Sequence, residues 1–287
     1  MRIRKAVITA AAPAQRRLPL QNLINRDGVE RSVIGILIDE IVRARVEEIC
    51  VVICPGDAAL YTSVLGDQAA RVTFVEQREP RGYGHAIHCA EPFTAGEPFL
   101  HLVSDHLYVG PAGAGCATQL IEAAEAENCS ISAVQATREG QLTSFGAVGG
   151  QRVSAAGSLY KIDTVLEKPT PTEAEQKIIV PGLRAGHYLC FFGMHVLTPG
   201  LQVILGELLA ADPNARVTLS AALAELANRE RYLALQMTDR RYDLGARYGL
   251  LNAQLAVALS GKDRGEILSS IVELLAVREP AEAGHAQ

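Results

Sequence analysis

The sequence predicts an α/β fold: an open, mixed but mostly parallel central sheet with helices on both faces, an inserted β subregion and a helical C-terminus. Three observations carry this. Strand and helix signals alternate through the first hundred residues. The segment from Glu48 to Cys54 is a continuous apolar run, as a parallel strand buried on both faces requires. From Leu201 onward helical segments dominate.

The elements follow in order. Lys5 to Ala10 reads as a buried first strand. From Ser32 to Ala44, the residues Val33, Ile36, Leu37, Ile41 and Val42 fall on one helical stripe. The strand from Glu48 to Cys54 is stopped by Pro55-Gly56. Val72 to Val75 is a short strand, Tyr83 to Ala90 a helix, and Phe99 to Val103 a strand ending at Ser104-Asp105. A helix from Cys116 to Glu127 precedes a strand from Ser130 to Ala136. Gly146, Gly149 and Gly150 predict a hairpin within Phe145 to Val153. Leu159 to Glu167 and His187 to Leu197 read as long strands. Tyr232 to Thr238 is a strand among helices, and residues 248–276 divide into two helices near Gly261. Residues 1–277 are expected to form a single domain, with 278–287 as a disordered tail.

Bulk properties narrow the partners. Net charge is -5, so neither nucleic acid nor an anionic membrane surface is expected. An anionic substrate must then be held by a few local cations. The six cysteines repeat no spacing and mostly sit in apolar runs, which fits buried reduced thiols in a cytoplasmic protein better than zinc or disulfides. The charged start followed by Ala6 to Ala12 resembles a signal peptide only faintly. Its apolar part is short and runs into Gln15-Arg16-Arg17, so a strand is the better reading. No run approaches the roughly 18 apolar residues of a membrane span.

Ligands of open α/β sheets bind at the carboxyl ends of the strands, which selects a few segments. After the first strand, Arg16 and Arg17 offer either a phosphate grip or a solvated basic turn. After Val75, the segment from Glu76 to Ala86 carries glycines that admit a close ligand. The Gln77 amide can donate to a base carbonyl and accept from the adjacent N–H. Asp105 ends a buried strand and Asp243 follows a late one, a placement suited to magnesium ligands or, singly, to caps and turns. Glu167 and Lys168 precede Pro169 at another strand end. They suit sugar hydroxyls and a phosphate, or a simple edge charge pair. His101 and His195 lie inside apolar strands as satisfied core residues. His106, beside Asp105, is the one histidine singled out for testing.

Together these motifs resemble the bacterial UTP–glucose-1-phosphate uridylyltransferase family, a group of sugar nucleotidyltransferases, over roughly residues 3–260. The resemblance rests on Gln77 with Gly82-Tyr83-Gly84-His85-Ala86, on Ser104-Asp105, Phe145-Gly146 and Val165-Leu166-Glu167-Lys168-Pro169, and on Gly193 to Pro199 and Tyr242-Asp243-Leu244-Gly245. It implies a Rossmann-like nucleotidyltransferase fold and transfer of a uridylyl group from UTP to a hexose 1-phosphate, glucose 1-phosphate first, with release of pyrophosphate. It implies that Ala11, Ala12, Gln77 and Gly82 bind the nucleotide and that Gly146 and Glu167 bind the sugar. Asp105 and Asp243 would hold Mg²⁺, Lys168 would contact the sugar-linked phosphate, and Arg16 the triphosphate. A homo-oligomer, dimer or tetramer, is the family expectation.

The chain departs from the family in its first loop. Where the family has G-x-G-T-R, this sequence reads Ala12-Pro13-Ala14-Gln15-Arg16. Alanines resist positive φ, and Pro13 has no N–H to offer a phosphate. A family lysine that follows is matched, across a shorter segment, by Arg26. Two readings stay open. Arg16, Arg17 and Arg26 compensate in an active enzyme, or the chain is a weakened UDP-sugar- or UTP-binding regulatory protein. A glycosyltransferase is a third class, but Ser104-Asp105-His106 lacks the acid-x-acid metal motif usual there.

Overall fold

A computed structural model describes residues 1–110, 115–154, 157–212 and 214–276. Chain order runs β1 (Lys5–Ala10), β2 (Asn22–Ile24), β3 (Glu30–Ser32), α1 (Val33–Arg43), β4 (Glu48–Ile53), α2 (Ala58–Leu65), β5 (Val72–Glu76), α3 (Tyr83–His88), α4 (Glu91–Thr94) and β6 (Phe99–Val103). It continues through β7 (His106–Val109), α5 (Cys116–Glu127), β8 (Ser130–Arg138), β9 (Ala147–Arg152), β10 (Leu159–Leu166), α6 (Pro171–Lys177) and β11 (His187–Leu197). The last elements are α7 (Pro199–Ala211), α8 (Leu219–Arg229), β12 (Tyr232–Gln236), β13 (Arg240–Asp243), α9 (Gly249–Leu259) and α10 (Arg264–Ala276).

Nine strands form one mixed sheet in the order β5-β4-β1-β6-β11-β8-β12-β10-β9. The four strands β5, β4, β1 and β6 are parallel, and β12 pairs parallel to β8. The long β11 runs antiparallel to both β6 and β8 and so joins the two halves. Side-chain alternation divides the core into two layers. From β1 and β4, Ala6, Ile8, Ile49, Val51 and Ile53 pack on one face beneath α1 and α5. Val7, Cys50 and Val52 pack on the other beneath α7 and α8. On α1 the expected stripe is buried at Val33, Leu37 and Ile41 but not at Val42, which is exposed, and Ile34 and Ile38 join the buried face, each buried isoleucine contributing roughly 1.5–3 kcal/mol. Its start is capped by Ser32, whose Oγ accepts from the Gly35 N–H at 3.2 Å.

The expected hairpin within Phe145 to Val153 is not there. Residues Ala147–Arg152 form one strand, and its hairpin partner is β10. The glycines serve close packing instead of a turn. A Cβ on Gly150 would lie 2.0 Å from the Lys161 carbonyl oxygen, and one on Gly149 would lie 2.9 Å from Ile178 Cα. This inserted region has its own small core of Leu142, Ala147, Ala174, Ile178, Tyr188 and Cys190.

The two C-terminal helices lie where the sequence places them, on either side of Gly261. The expected disordered tail, 278–287, lies outside the described residues. All six cysteines are unpaired, and five of them are buried. Among the described residues, no helix is long and apolar enough to cross a membrane.

Candidate active site

The carboxyl ends of β1, β5 and β6 open into a cleft of about 330 Å³. Thr9 to Pro13 and Gln15 line it from the first loop, Gln77, Pro80, Gly82, Tyr83 and Ala86 from the segment after β5, and Val103 to Asp105 from the end of β6. Of the residues expected at the site, Ala11, Ala12, Gln77, Gly82 and Asp105 line this cleft.

The first loop has no left-handed residue. Ala12 is extended, with φ -78° and ψ 112°, and Pro13–Gln15 make a 3-10 turn closed by the Gln15 N–H on the Ala12 carbonyl at 3.0 Å. Pro13 opens this turn, where its missing N–H leaves no intrahelical bond unmade. Alanine and proline are therefore unstrained here, because the backbone takes a path that needs no glycine. The turn sends Gln15 into the cleft and engages Arg16 elsewhere. Arg16 Nε donates to Asp57 Oδ2 at 2.6 Å and Nη2 donates to Oδ1. Asp57 is buried, while half of the Arg16 side chain stays exposed.

After β5 the chain is shaped for close approach. Gly82 has φ 104°, and a Cβ there would meet the Val217 carbonyl oxygen at 2.5 Å. Gln77 is buried, and its Nε2 donates to the Gly82 carbonyl and pairs with His85 Nδ1, both at 3.0 Å. Both amide donors are thus engaged, which leaves Oε1 as the group to meet a ligand. Burial lowers the His85 pKa, which favours the neutral ring that accepts from Gln77.

Asp105 and Asp243 meet although 138 positions separate them. The two-stranded ribbon β7–β13 pairs Asp243 with His106, and the Leu244 N–H donates to the Asp105 carbonyl at 2.9 Å. One ligand atom from each of Asp105, His106 and Asp243 lies within 4.8 Å of the others, so the trio can hold a metal ion. Burial pushes the Asp105 carboxyl up. The His106 bond and charge, with donors from its own backbone and Gln15, outweigh burial and hold it below the usual carboxylate range. His106 Nδ1 lies 2.7 Å from Asp105 Oδ1, and Asp243 Oδ1 accepts from the Gly245 N–H at 2.8 Å. Two oriented carboxylates fit a hard divalent cation that also takes phosphate oxygens. His106 then orients an acid, an outer role typical of metal sites.

Arg241, on the same ribbon, locks it to the sheet. Its guanidinium lies 3.6 Å from the centre of the Phe145 ring and donates to the Cys190 and Phe191 carbonyls and to Thr137 Oγ1. The Phe145 ring, next in sequence to Gly146, stands edge-on to His106 at 6.3 Å. A Cβ on Gly146 would lie 2.8 Å from the Phe191 ring, so the backbone is packed closely there. Glu167, after β10, accepts from Ser220 Oγ at the start of α8. Lys168 takes φ 46°, a left-handed conformation uncommon for a residue other than glycine. Tyr83 relates the two sides. Burial first, then the charges of Asp105 and Glu167, raise its hydroxyl pKa. Gly146, Glu167, Lys168 and Asp243 do not line the cleft itself.

Arg26 is not brought to the cleft. It sits in the turn between β2 and β3, where Nη2 donates to the Gly110 carbonyl at 3.0 Å and its own carbonyl accepts from the Lys262 N–H. It lines a second cavity of about 410 Å³ with Glu40, Cys116 and Asp239. Two residues that sequence reasoning missed, Gln15 and Arg216, do line the cleft. Neither sits in a periodic pattern that would single it out. The histidine expectation holds for His195, whose Nδ1 bonds Ser132 Oγ at 2.6 Å. It holds in part for His101, which is buried with Nε2 3.3 Å from Thr9 Oγ1, while Nδ1 has no partner among the described residues.

A family model described as nucleotidyl transferase matches residues 20–259. A curated relative from Streptococcus pyogenes serotype M3, named UTP–glucose-1-phosphate uridylyltransferase 2, is 26% identical, with 90% of this chain and 91% of the relative covered. A second from the same organism, UTP–glucose-1-phosphate uridylyltransferase 1, is also 26% identical over 94% of each chain. Among solved structures, a UTP-bound UGPase from Acinetobacter baumannii superposes with a TM-score of 0.74 at 21% identity, covering 96% of this chain and all of the other. A UDP-glucose pyrophosphorylase complexed with UDP-glucose superposes with a TM-score of 0.72 at 23% identity, covering 88% of this chain and 98% of that one. These likenesses show that the folds are the same.

Proposed function

The chain belongs to the nucleotidyl transferase family, and from that premise we propose that it joins UTP to glucose 1-phosphate, giving UDP-glucose and pyrophosphate. One observation carries the reading. Asp105 and Asp243 converge, through β7–β13, at the edge of the cleft that Gln77 and Gly82 line.

In this reading the uracil lies against Ala11, Ala12 and Gly82, and Gln77 Oε1 accepts its N3–H. Glu167 binds sugar hydroxyls beside Gly146, and Lys168 holds the sugar-linked phosphate. A phosphate oxygen of the sugar attacks the α-phosphorus of UTP. That O–P bond forms as the bond to the β-phosphate oxygen breaks, and pyrophosphate leaves with the electron pair. The attacking phosphate is largely ionised at neutral pH, its second pKa being about 6, so no general base is required. The chain's task is alignment and charge neutralisation. Mg²⁺, held by Asp105 and Asp243, would neutralise phosphate charge. Arg16 adds its exposed edge to the triphosphate side. Arg26, in the second cavity, receives no role at the nucleotide.

The reading includes a cytoplasmic setting, supported by the six free thiols. It also includes self-association to a dimer or tetramer, supported by Val272, Leu274 and Leu275, which α10 leaves exposed among the described residues. Pyrophosphate release over a panel of nucleoside triphosphates and sugar 1-phosphates tests the function. UTP with glucose 1-phosphate should give the highest kcat/KM. No turnover with any pair, alongside measurable UDP-glucose binding, would replace the enzyme by a binding protein.

A further inference from the structure

Arg216 is the only cationic side chain among the described residues that line the cleft. Three other guanidiniums of this part of the chain are committed, and Arg17, exposed on the first loop, does not line the cleft. Arg16 is paired to Asp57 at two points. Arg81 donates to the carbonyls of Leu209 and Asp212, both at 3.0 Å. Arg26 lines another cavity and is bound to the Gly110 carbonyl. Arg216 is exposed and makes no side-chain hydrogen bond or ion pair with the described residues.

Its backbone is anchored while its side chain is free. The Val217 N–H donates to the Arg81 carbonyl, and the Gly84 N–H donates to the Val217 carbonyl, each at 2.9 Å. Thr218 then caps α8, with Oγ1 accepting from the Ala221 N–H at 3.2 Å. The segment is therefore stitched to Arg81 and Gly84, and a Cβ on Gly82, between them, would strike it. Among the described residues Asp105 is the one acid lining the cleft, and without a cation it repels a phosphate; the first loop has a proline where a backbone donor is wanted. Among the described residues lining the cleft, Arg216 is the one positive side chain that an entering polyphosphate meets.

We propose that Arg216 binds the phosphates of the incoming nucleoside triphosphate, in place of backbone donors lost from the first loop. This rests on the reading of the cleft as a nucleotide site. The guanidinium suits it, presenting several donors to phosphate oxygens and keeping its charge at any working pH.

The test compares UTP with uridine. Binding of each is measured to the wild type, Arg216→Ala and Arg216→Lys, by calorimetry for UTP and ligand-observed NMR for uridine. Because Arg216 is exposed, its removal leaves no buried cavity, and an unchanged Tm verifies folding. Arg216→Ala should weaken UTP roughly ten- to a hundredfold and uridine by less than about twofold, with Arg216→Lys in between. Unchanged UTP affinity, or equal losses for UTP and uridine, overturns the assignment. The latter outcome would make Arg216 a base contact. Turnover is read separately. A wild type that binds UTP in an Arg216-dependent way but transfers nothing overturns the enzyme reading and leaves this assignment standing. Full turnover by Arg216→Ala with an unchanged KM for UTP does the reverse.

Discussion

Arg16 and Asp57 form a two-point ion pair, with Nε on Oδ2 at 2.6 Å and Nη2 on Oδ1, between the turn after β1 and the start of α2. The pair pins the loop that departs most from the family pattern. It also explains how Ala12-Pro13-Ala14 replaces glycines without strain. The chain turns as a 3-10 helix, Gln15 takes the place facing Asp105, and Arg16 steadies the turn from outside the cleft. Arg16→Ala should therefore raise the KM for UTP by roughly tenfold, with a smaller change for glucose 1-phosphate. Asp57→Asn should shift the two constants in the same directions. Steady-state kinetics decide, and equal effects on both substrates would undo the triphosphate assignment.

The metal acids give a sharper expectation. Asp105→Asn or Asp243→Asn leaves the ribbon paired but removes one anionic ligand. Each should lower kcat by roughly a hundredfold or more. The metal concentration needed for half-maximal rate should rise as well. Undiminished, metal-dependent turnover in both variants would remove this site.

Gly82 joins backbone conformation to ligand approach. Alanine there faces φ 104° and a carbonyl 2.5 Å away. Gly82→Ala should destabilise the fold by about 1–3 kcal/mol in urea unfolding. It should raise the KM for UTP, because the segment carrying Arg216 must move. Wild-type stability and KM would show that the close approach to Val217 is unimportant.

Burial lowers the His101 pKa, with a further push from His195, and burial lowers that of His195 to about 3. In the unfolded chain both titrate near about 6.5. Below that pH the unfolded state binds protons that the native state refuses, so stability is full above it and falls as pH drops towards 3. Each histidine contributes a slope of up to about 1.4 kcal/mol per pH unit. Urea titrations between pH 7 and 4 should show the fall, and His195→Gln, which keeps a polar partner for Ser132, should reduce it. A pH-independent stability over that range would contradict the buried neutral histidines.

What was legible in the sequence follows from how local the signals are. β1, β4, β6 and β11 were visible as apolar runs because a strand covered on both faces needs no polar positions. The ends of two of them, β1 and β6, pointed to Ala11, Ala12 and Asp105. Gln77 and Gly82 were found through a turn rich in glycine. The β7–β13 ribbon was not seen. Its strands, His-Leu-Tyr-Val and Arg-Arg-Tyr-Asp, are four residues each, and their pairing joins distant parts of the chain. The eight-residue α2, whose N-cap side chain makes no capping bond, was missed as well. Gln15 and Arg216 escaped for a related reason. A polar residue in a loop has no period, and only the folded backbone shows which way it points. Arg26 erred in the opposite sense, since its place in the chain suggested the cleft and the β2–β3 turn carries it to another cavity.

The central claim is tested most directly by mixing the purified chain with UTP, glucose 1-phosphate and Mg²⁺ and quantifying both products by chromatography. The account predicts UDP-glucose and pyrophosphate in equal amounts, formed only with the metal and lost in Asp105→Asn. Absence of UDP-glucose at any metal concentration, from a folded protein that binds UTP, would contradict it.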